Sequence, residues 1–96
     1  MNIYLTAIVR SKPEKVEELK AQLQQLVVES RKEAACIQYD LHQSIEESTL
    51  FTFHEIWESY EGLMLHDQQP HIKAFGLVAD ELLDGPVKII RASKVD

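Results

Sequence analysis

Cysteine is almost absent from this chain: Cys36 is the only one among 96 residues, so no internal disulfide can form. It stands between Ala35 and Ile37 with no second Cys or His at metal-ligand spacing beside it, and it reads as a small buried apolar side chain. Blocks of like charge are also missing. The net charge of -6 comes from acids spread along the sequence, and no Lys/Arg stripe exists that would neutralise a phosphate backbone, so nucleic acid is not an expected partner. No apolar run approaches the ~18 residues of a membrane span. The segment Met1-Asn2-Ile3-Tyr4-Leu5 lacks the basic region and long apolar core of a secretory leader. These absences set the expectation of a cytoplasmic protein without membrane contact. With no repeat or low-complexity tract, one domain over residues 1–96 is expected.

What is present is ordinary globular material. Apolar residues supply 45% and charged residues 27%, too hydrophobic a mix for a disordered chain. At this length only about two-thirds of the unfolded surface can be buried, so the fold is marginal alone and a partner subunit would help it.

Residues Asn2 to Arg10 read as a strand, with Ile3, Leu5, Ala7 and Val9 alternating against Tyr4, Thr6 and Ile8. A strand apolar on both sides is covered on both sides. Ser11-Lys12-Pro13-Glu14 marks a helix start, with Ser11 as cap and Pro13 in the first turn. Val16, Leu19, Leu23, Leu26 and Val27 then form the apolar stripe of a helix expected from about Pro13 to Ala34. Its early acids Glu14, Glu17 and Glu18 and late bases Arg31 and Lys32 complement the helix dipole. Ile37 to Ile45 and Leu50 to Glu58 are two strands joined by a short polar connection, the second carrying Phe51, Phe53 and Trp57. Ser59 to Leu83 is helical with a break forced by Pro70, and Val87 to Ala92, after Gly85-Pro86, is a last strand.

The order βαββαβ is that of the ferredoxin-like α+β fold, a four-stranded antiparallel sheet with two helices on one face. Strands this apolar should not leave the other face in water, so that face is expected to pack on a second subunit and give a homodimeric α+β barrel. The space enclosed between two such sheets is where a small molecule is expected to bind. By alternation Gln38, Asp40 and His42 share one face of the second strand, and Phe51, Phe53, Glu55 and Trp57 share one face of the third. Both sets are expected to face the barrel interior.

Three stretches hold the chemistry-bearing residues: Tyr39-Asp40-Leu41-His42, Phe53-His54-Glu55-Ile56-Trp57-Glu58-Ser59, and His66-Asp67-Gln68-Gln69-Pro70-His71-Ile72-Lys73-Ala74-Phe75. To these add Lys12-Pro13-Glu14-Lys15 at the helix start and His66 nine residues after the Trp of the Glu-x-Trp. In this order and spacing the chain resembles the antibiotic-biosynthesis monooxygenase family along essentially its whole length. The resemblance implies a dimeric α+β barrel that, in the best-known members, oxygenates quinols or polycyclic phenols with molecular oxygen and without flavin, haem or metal. It also implies an alternative, because an isomerase of a phosphorylated signalling sugar shares the positions of Asp40, Glu55, His66 and His71. The haem-degrading branch is a poor match, since its strand-one Asn, second Trp and haem-ligating His correspond here to Thr6, His66 and the Phe75-Gly76 pair. No cofactor is therefore expected. One departure from the family is Ala35 or Cys36 in place of the usual glycine before the second strand, at a cost of about 1 kcal/mol if the backbone there is left-handed.

A carboxylate among aromatic rings has its charged form disfavoured by desolvation, which makes Glu55 a candidate acid or base near neutrality. His66, near the end of the short helix, is expected to be the base, with Glu55 as its orienter or partner. In a cofactor-free oxygenase the substrate itself gives an electron to oxygen, so the protein must deprotonate a phenol or quinol and hold the anion in a dry pocket. His66 would take the proton, Phe53 and Trp57 would hold the ring, and Asp40 and His71 would complete the substrate contacts. Plainer roles stand beside these: Glu55 as an acceptor at a helix end or dimer contact, His71 as a cap, Phe53 and Trp57 as core. A phosphosugar would need cations, and only Arg10, Lys73 and a distant Arg91 are candidates, which favours an aromatic substrate. A dimeric small-molecule-binding protein without turnover is the third reading, because such folds host many functions.

Overall fold

The computed structural model describes all residues 1–96. Strand β1 (Ile3–Arg10) leads through a short 3-10 turn (Pro13–Lys15) into helix α1 (Val16–Ser30). Strands β2 (Cys36–Gln43) and β3 (Leu50–Trp57) follow, then helices α2 (Tyr60–Asp67) and α3 (Pro70–Leu82) and strand β4 (Lys88–Ala92). The sheet order is β2-β3-β1-β4 with every pair antiparallel, which is the expected ferredoxin-like α+β arrangement.

Strand alternation and register decide what each face presents. Leu5 pairs with Glu55, Ala7 with Phe53 and Val9 with Phe51, while Tyr39 pairs with Glu55 and Leu41 with Phe53, so all of these share one face. The helices lay Leu19, Leu23, Leu26 and Leu82 on it, and the core closes around the fully buried Trp57 and Phe51. Burying aromatic side chains of this size is worth roughly 2–3 kcal/mol each. The opposite face carries Tyr4, Thr6, Ile8, His54, Ile56 and Ile90, and no helix of the chain covers it.

Two local details differ from expectation. Helix α1 stops at Ser30 rather than Ala34: the Lys32 and Glu33 N–H groups bond back to the Glu29 and Ser30 carbonyls in tight turns. The Ala35 carbonyl then accepts the Glu58 N–H at 2.9 Å, tying this segment to the end of β3. Ser11 does not cap. Its hydroxyl donates to the Lys12 carbonyl, and Pro13 already lacks one of the N–H groups that a cap would satisfy. The backbone before β2 is not left-handed, since no non-glycine residue has positive φ, so the cost attached to that condition does not arise. The chain instead comes close to the first turn of α2, where a side chain at Gly62 would collide with the Ala35 methyl group.

Ser59 caps α2 by accepting the Gly62 N–H at 3.1 Å. The break at Pro70 is where the sequence places it: Gln69 is extended at φ -68° and ψ 146°, as a residue before proline should be. No helix is long and apolar enough to cross a membrane.

Candidate active site

Between the helix-covered face of the sheet and the helices lies a cavity of about 210 Å³. Leu5, Ala7, Leu23, Phe53, Ile72 and Phe75 are among its apolar walls, and Tyr39, Glu55, His66, Asp67 and Arg91 are its polar or titratable members. It is lined by residues of the sheet and helices of one subunit.

Glu55 sits on β3 two residues before Trp57, and this spacing puts both side chains on the covered face. The indole Nε1 donates to Glu55 Oε1 at 2.8 Å. With only 6% of the residue exposed, burial pushes the Glu55 carboxyl from its ordinary 4.5 up to about 7. The Trp57 bond opposes that rise, while the charges of Asp67 and Glu33 add to it. Burial and the Glu55 charge likewise push the Tyr39 phenol upward. The Cys36 thiol is pushed up to about 11, first by burial and then by Glu33, in keeping with an unreactive cysteine.

His66, buried in the last turn of α2, lies against the Trp57 ring at 4.4 Å and faces Tyr39 edge-on at 5.6 Å. Its Nδ1 is 2.8 Å from Glu33 Oε2, and the Nε2 of His71 is 2.8 Å from the same oxygen. Pro70 makes this convergence possible. On an unbroken helix two residues five apart point about 140° away from each other, whereas the break after α2 turns both rings towards Glu33.

Of the six residues singled out from sequence, Glu55, His66 and Phe53 line the cavity. Trp57 does not line it; it stands behind, holding Glu55 and His66. His71 lines an outer cleft with Glu33, Lys32 and Leu65 instead of the cavity. Asp40 faces the opposite side of the sheet, beside His54, where it pairs with Arg31 at 3.0 Å and accepts from Gln38 at 2.8 Å. The expectation that Gln38, Asp40 and His42 share an interior with Glu55 is thereby corrected. A β-bulge between Cys36 and Gln38 is the cause, because an unbroken ladder from the Cys36–Trp57 pair would set Gln38 opposite Glu55 and Asp40 opposite Phe53.

The hydrogen-bonding partner of His66 is Glu33, not Glu55. Sequence reasoning placed Glu33 inside α1 and gave it no role, and no spacing rule links it to residues 33 and 38 positions further on. Tyr39 and Asp67, quoted in the sequence motifs without a role of their own, also line the cavity, and so does Arg91, which sequence offered only as a distant cation. Arg91 is not distant, since it shares a face with Leu5 and Glu55. Glu33, His66 and His71 have the donor types of a divalent-cation site, their ligand atoms within 4.8 Å of one another. Both imidazoles, however, meet a single oxygen at 2.8 Å, the geometry of two N–H donors on one carboxylate.

Fold and site together define a ferredoxin-like α+β protein with a largely apolar cavity that carries titratable groups. The family model for antibiotic biosynthesis monooxygenase matches residues 2–76, and the chain belongs to that family. It is 35% identical over 89 residues to "Putative monooxygenase YcnE" of Bacillus subtilis (strain 168), covering 93% of this chain and 94% of the relative. Among solved structures, PA3566 from Pseudomonas aeruginosa superposes with a TM-score of 0.94 at 35% identity, covering 99% of this chain and 95% of that one. Rv0793 from Mycobacterium tuberculosis superposes with a TM-score of 0.93 at 25% identity, covering 100% and 97%. A general monooxygenase-like function is supported on these grounds.

Proposed function

We propose that the chain is a cofactor-independent monooxygenase, acting with molecular oxygen on a quinol-like or phenolic small molecule held in the cavity of each subunit of a homodimer. The observation that carries this reading is the buried assembly of His66 against Trp57, with Glu55, bonded to the same indole, raised to about 7, at the wall of a largely apolar cavity. His66 takes a hydroxyl proton, and the largely apolar, aromatic surroundings make the resulting anion a better electron donor to oxygen. Recombination at a carbon bearing hydrogen gives a hydroperoxide. Its loss of water leaves a carbonyl, so one oxygen atom enters the product and the other leaves as water. Glu55, partly protonated near neutrality, is the acid for the departing oxygen.

Size supports a small substrate: a void of roughly 150 Å³ accepts benzene, so about 210 Å³ fits one substituted ring. Tyr4, Ile8, Ile56 and Ile90 on the uncovered face supply the apolar surface for a second copy. A second reading, proton transfer on a sugar-derived carbonyl compound, is favoured by one observation, the presence of Arg91 at the cavity as a cationic partner for an anionic group.

The test is oxygen uptake with a panel of hydroquinones and phenols, no cofactor being added, alongside His66→Ala. Uptake above autoxidation that falls roughly 10²–10⁴-fold in the variant is expected. No uptake with any member would transfer the assignment to the isomerase or to a binding protein.

A further inference from the structure

We infer that Glu33 is a positioning residue for His66, fixing it as the tautomer that carries its proton on Nδ1, with His71 bracing Glu33 from the outer cleft. The inference rests on the reading of His66 as the base. A carboxylate oxygen only accepts hydrogen bonds, so the 2.8 Å contacts from His66 Nδ1 and His71 Nε2 to Glu33 Oε2 each require an N–H on the histidine. A neutral imidazole with its proton on Nδ1 has its lone pair on Nε2. No protein group bonds to that nitrogen, and His66 is the one member of the trio that lines the cavity.

Glu33 thus stands to His66 as an orienting acid stands to a general base: it selects the tautomer, holds the ring and stabilises the imidazolium that forms. The other titratable groups around the trio are Cys36 and Tyr39 from β2, Glu55 from β3, Asp67 from α2, Arg91 from β4, and Glu29 and Lys32 at the outer cleft. None of them makes a hydrogen bond to either ring, so Glu33 alone sets the tautomer.

Long-range proton–nitrogen NMR on ¹⁵N-labelled protein reads the tautomer directly, without substrate, the His66 signals being assigned by their loss in His66→Gln. Wild-type protein at neutral pH should show His66 protonated at Nδ1. Glu33→Ala should move the proton mainly to Nε2, and Glu33→Gln, whose amide oxygen still accepts, should keep it on Nδ1. With an active quinol, Glu33→Ala should lower kcat about 10²-fold or more with KM changed little, and Glu33→Gln should recover part of the loss. A proton on Nε2 of wild-type His66, which needs no variant to observe, would overturn the assignment. So would an unchanged tautomer in folded Glu33→Ala. Stoichiometric Zn²⁺ retained through dialysis, displacing the Nδ1 proton and lost in His71→Ala, would overturn it as well. If the tautomers are as expected but no compound of the panel is oxidised, the pairing of Glu33 with His66 stands and the monooxygenase reading is what fails.

Discussion

Glu55 and Asp40 are carboxylates on neighbouring strands of one sheet, and they occupy opposite chemical worlds. Glu55 lies under the helices, bonded to an indole and pushed up to about 7 by burial. Asp40, on the other face with its side chain 40% exposed, is held by Arg31 and Gln38 in contact with water. Residue type is nearly constant between them. What differs is the side of the sheet, so the covered face makes its carboxyl available for proton transfer near neutrality while the uncovered face leaves its own as a surface charge.

The comparison breaks most completely if the covered face loses its centre. Trp57→Ala should cost about 3–5 kcal/mol, measured as a lower denaturant midpoint, because a fully buried aromatic that also holds Glu55 and His66 is removed. A denaturant midpoint close to wild type would show that the core does not depend on this ring. On the uncovered face, Ile56→Lys should leave the subunit folded but halve the mass found by sedimentation, since a charge is set into the proposed dimer contact. An intact dimer would place the interface elsewhere.

Glu55→Gln sharpens the contrast through pH. The folded protein holds the Glu55 proton more tightly than the unfolded chain does, with 4.5 as the ordinary value and about 7 in the fold. Wild-type stability should therefore fall as pH rises from about 4.5 to 7, and the deficit should be complete above 7, amounting to at most about 3 kcal/mol. The glutamine variant should be more stable than wild type at pH 8 and nearly equal to it at pH 4, as urea titrations at the two pH values would reveal. The same gap at both pH values would remove burial of the charge as its cause. Asp40→Asn should change least, by under about 1 kcal/mol and less still in high salt, and should leave turnover unaltered. A large loss of turnover in that variant would mean that the uncovered face belongs to the site after all.

Much of this was legible in the residues. Hydrophobic alternation located β1 and β3, the Pro70 break separated α2 from α3, and a carboxyl two positions from a tryptophan on a buried strand identified Glu55 before any coordinate. Other features were not legible for specific reasons. The run Arg31-Lys32-Glu33 suits a helix end as well as a turn, so the stop at Ser30 came from tight turns and from the Ala35–Glu58 bond across the fold. Trp57 was assigned to hold the substrate, and whether an aromatic on a buried strand faces a cavity or stands behind it depends on which side chains pack in front.

The sequence by itself determined the elements, their order and the parity of side chains within each strand, because these follow from local periods of about 2 and 3.6 residues. Only the tertiary structure decided how parity carries from β2 to β3, since one bulged residue between Cys36 and Gln38 exchanges the faces and puts Tyr39, not Asp40, beside Glu55. Only it brought Glu33 to His66 and His71. Those contacts span 33 and 38 positions along the chain, and their existence depends on how α1, α2 and α3 pack rather than on any period a sequence displays.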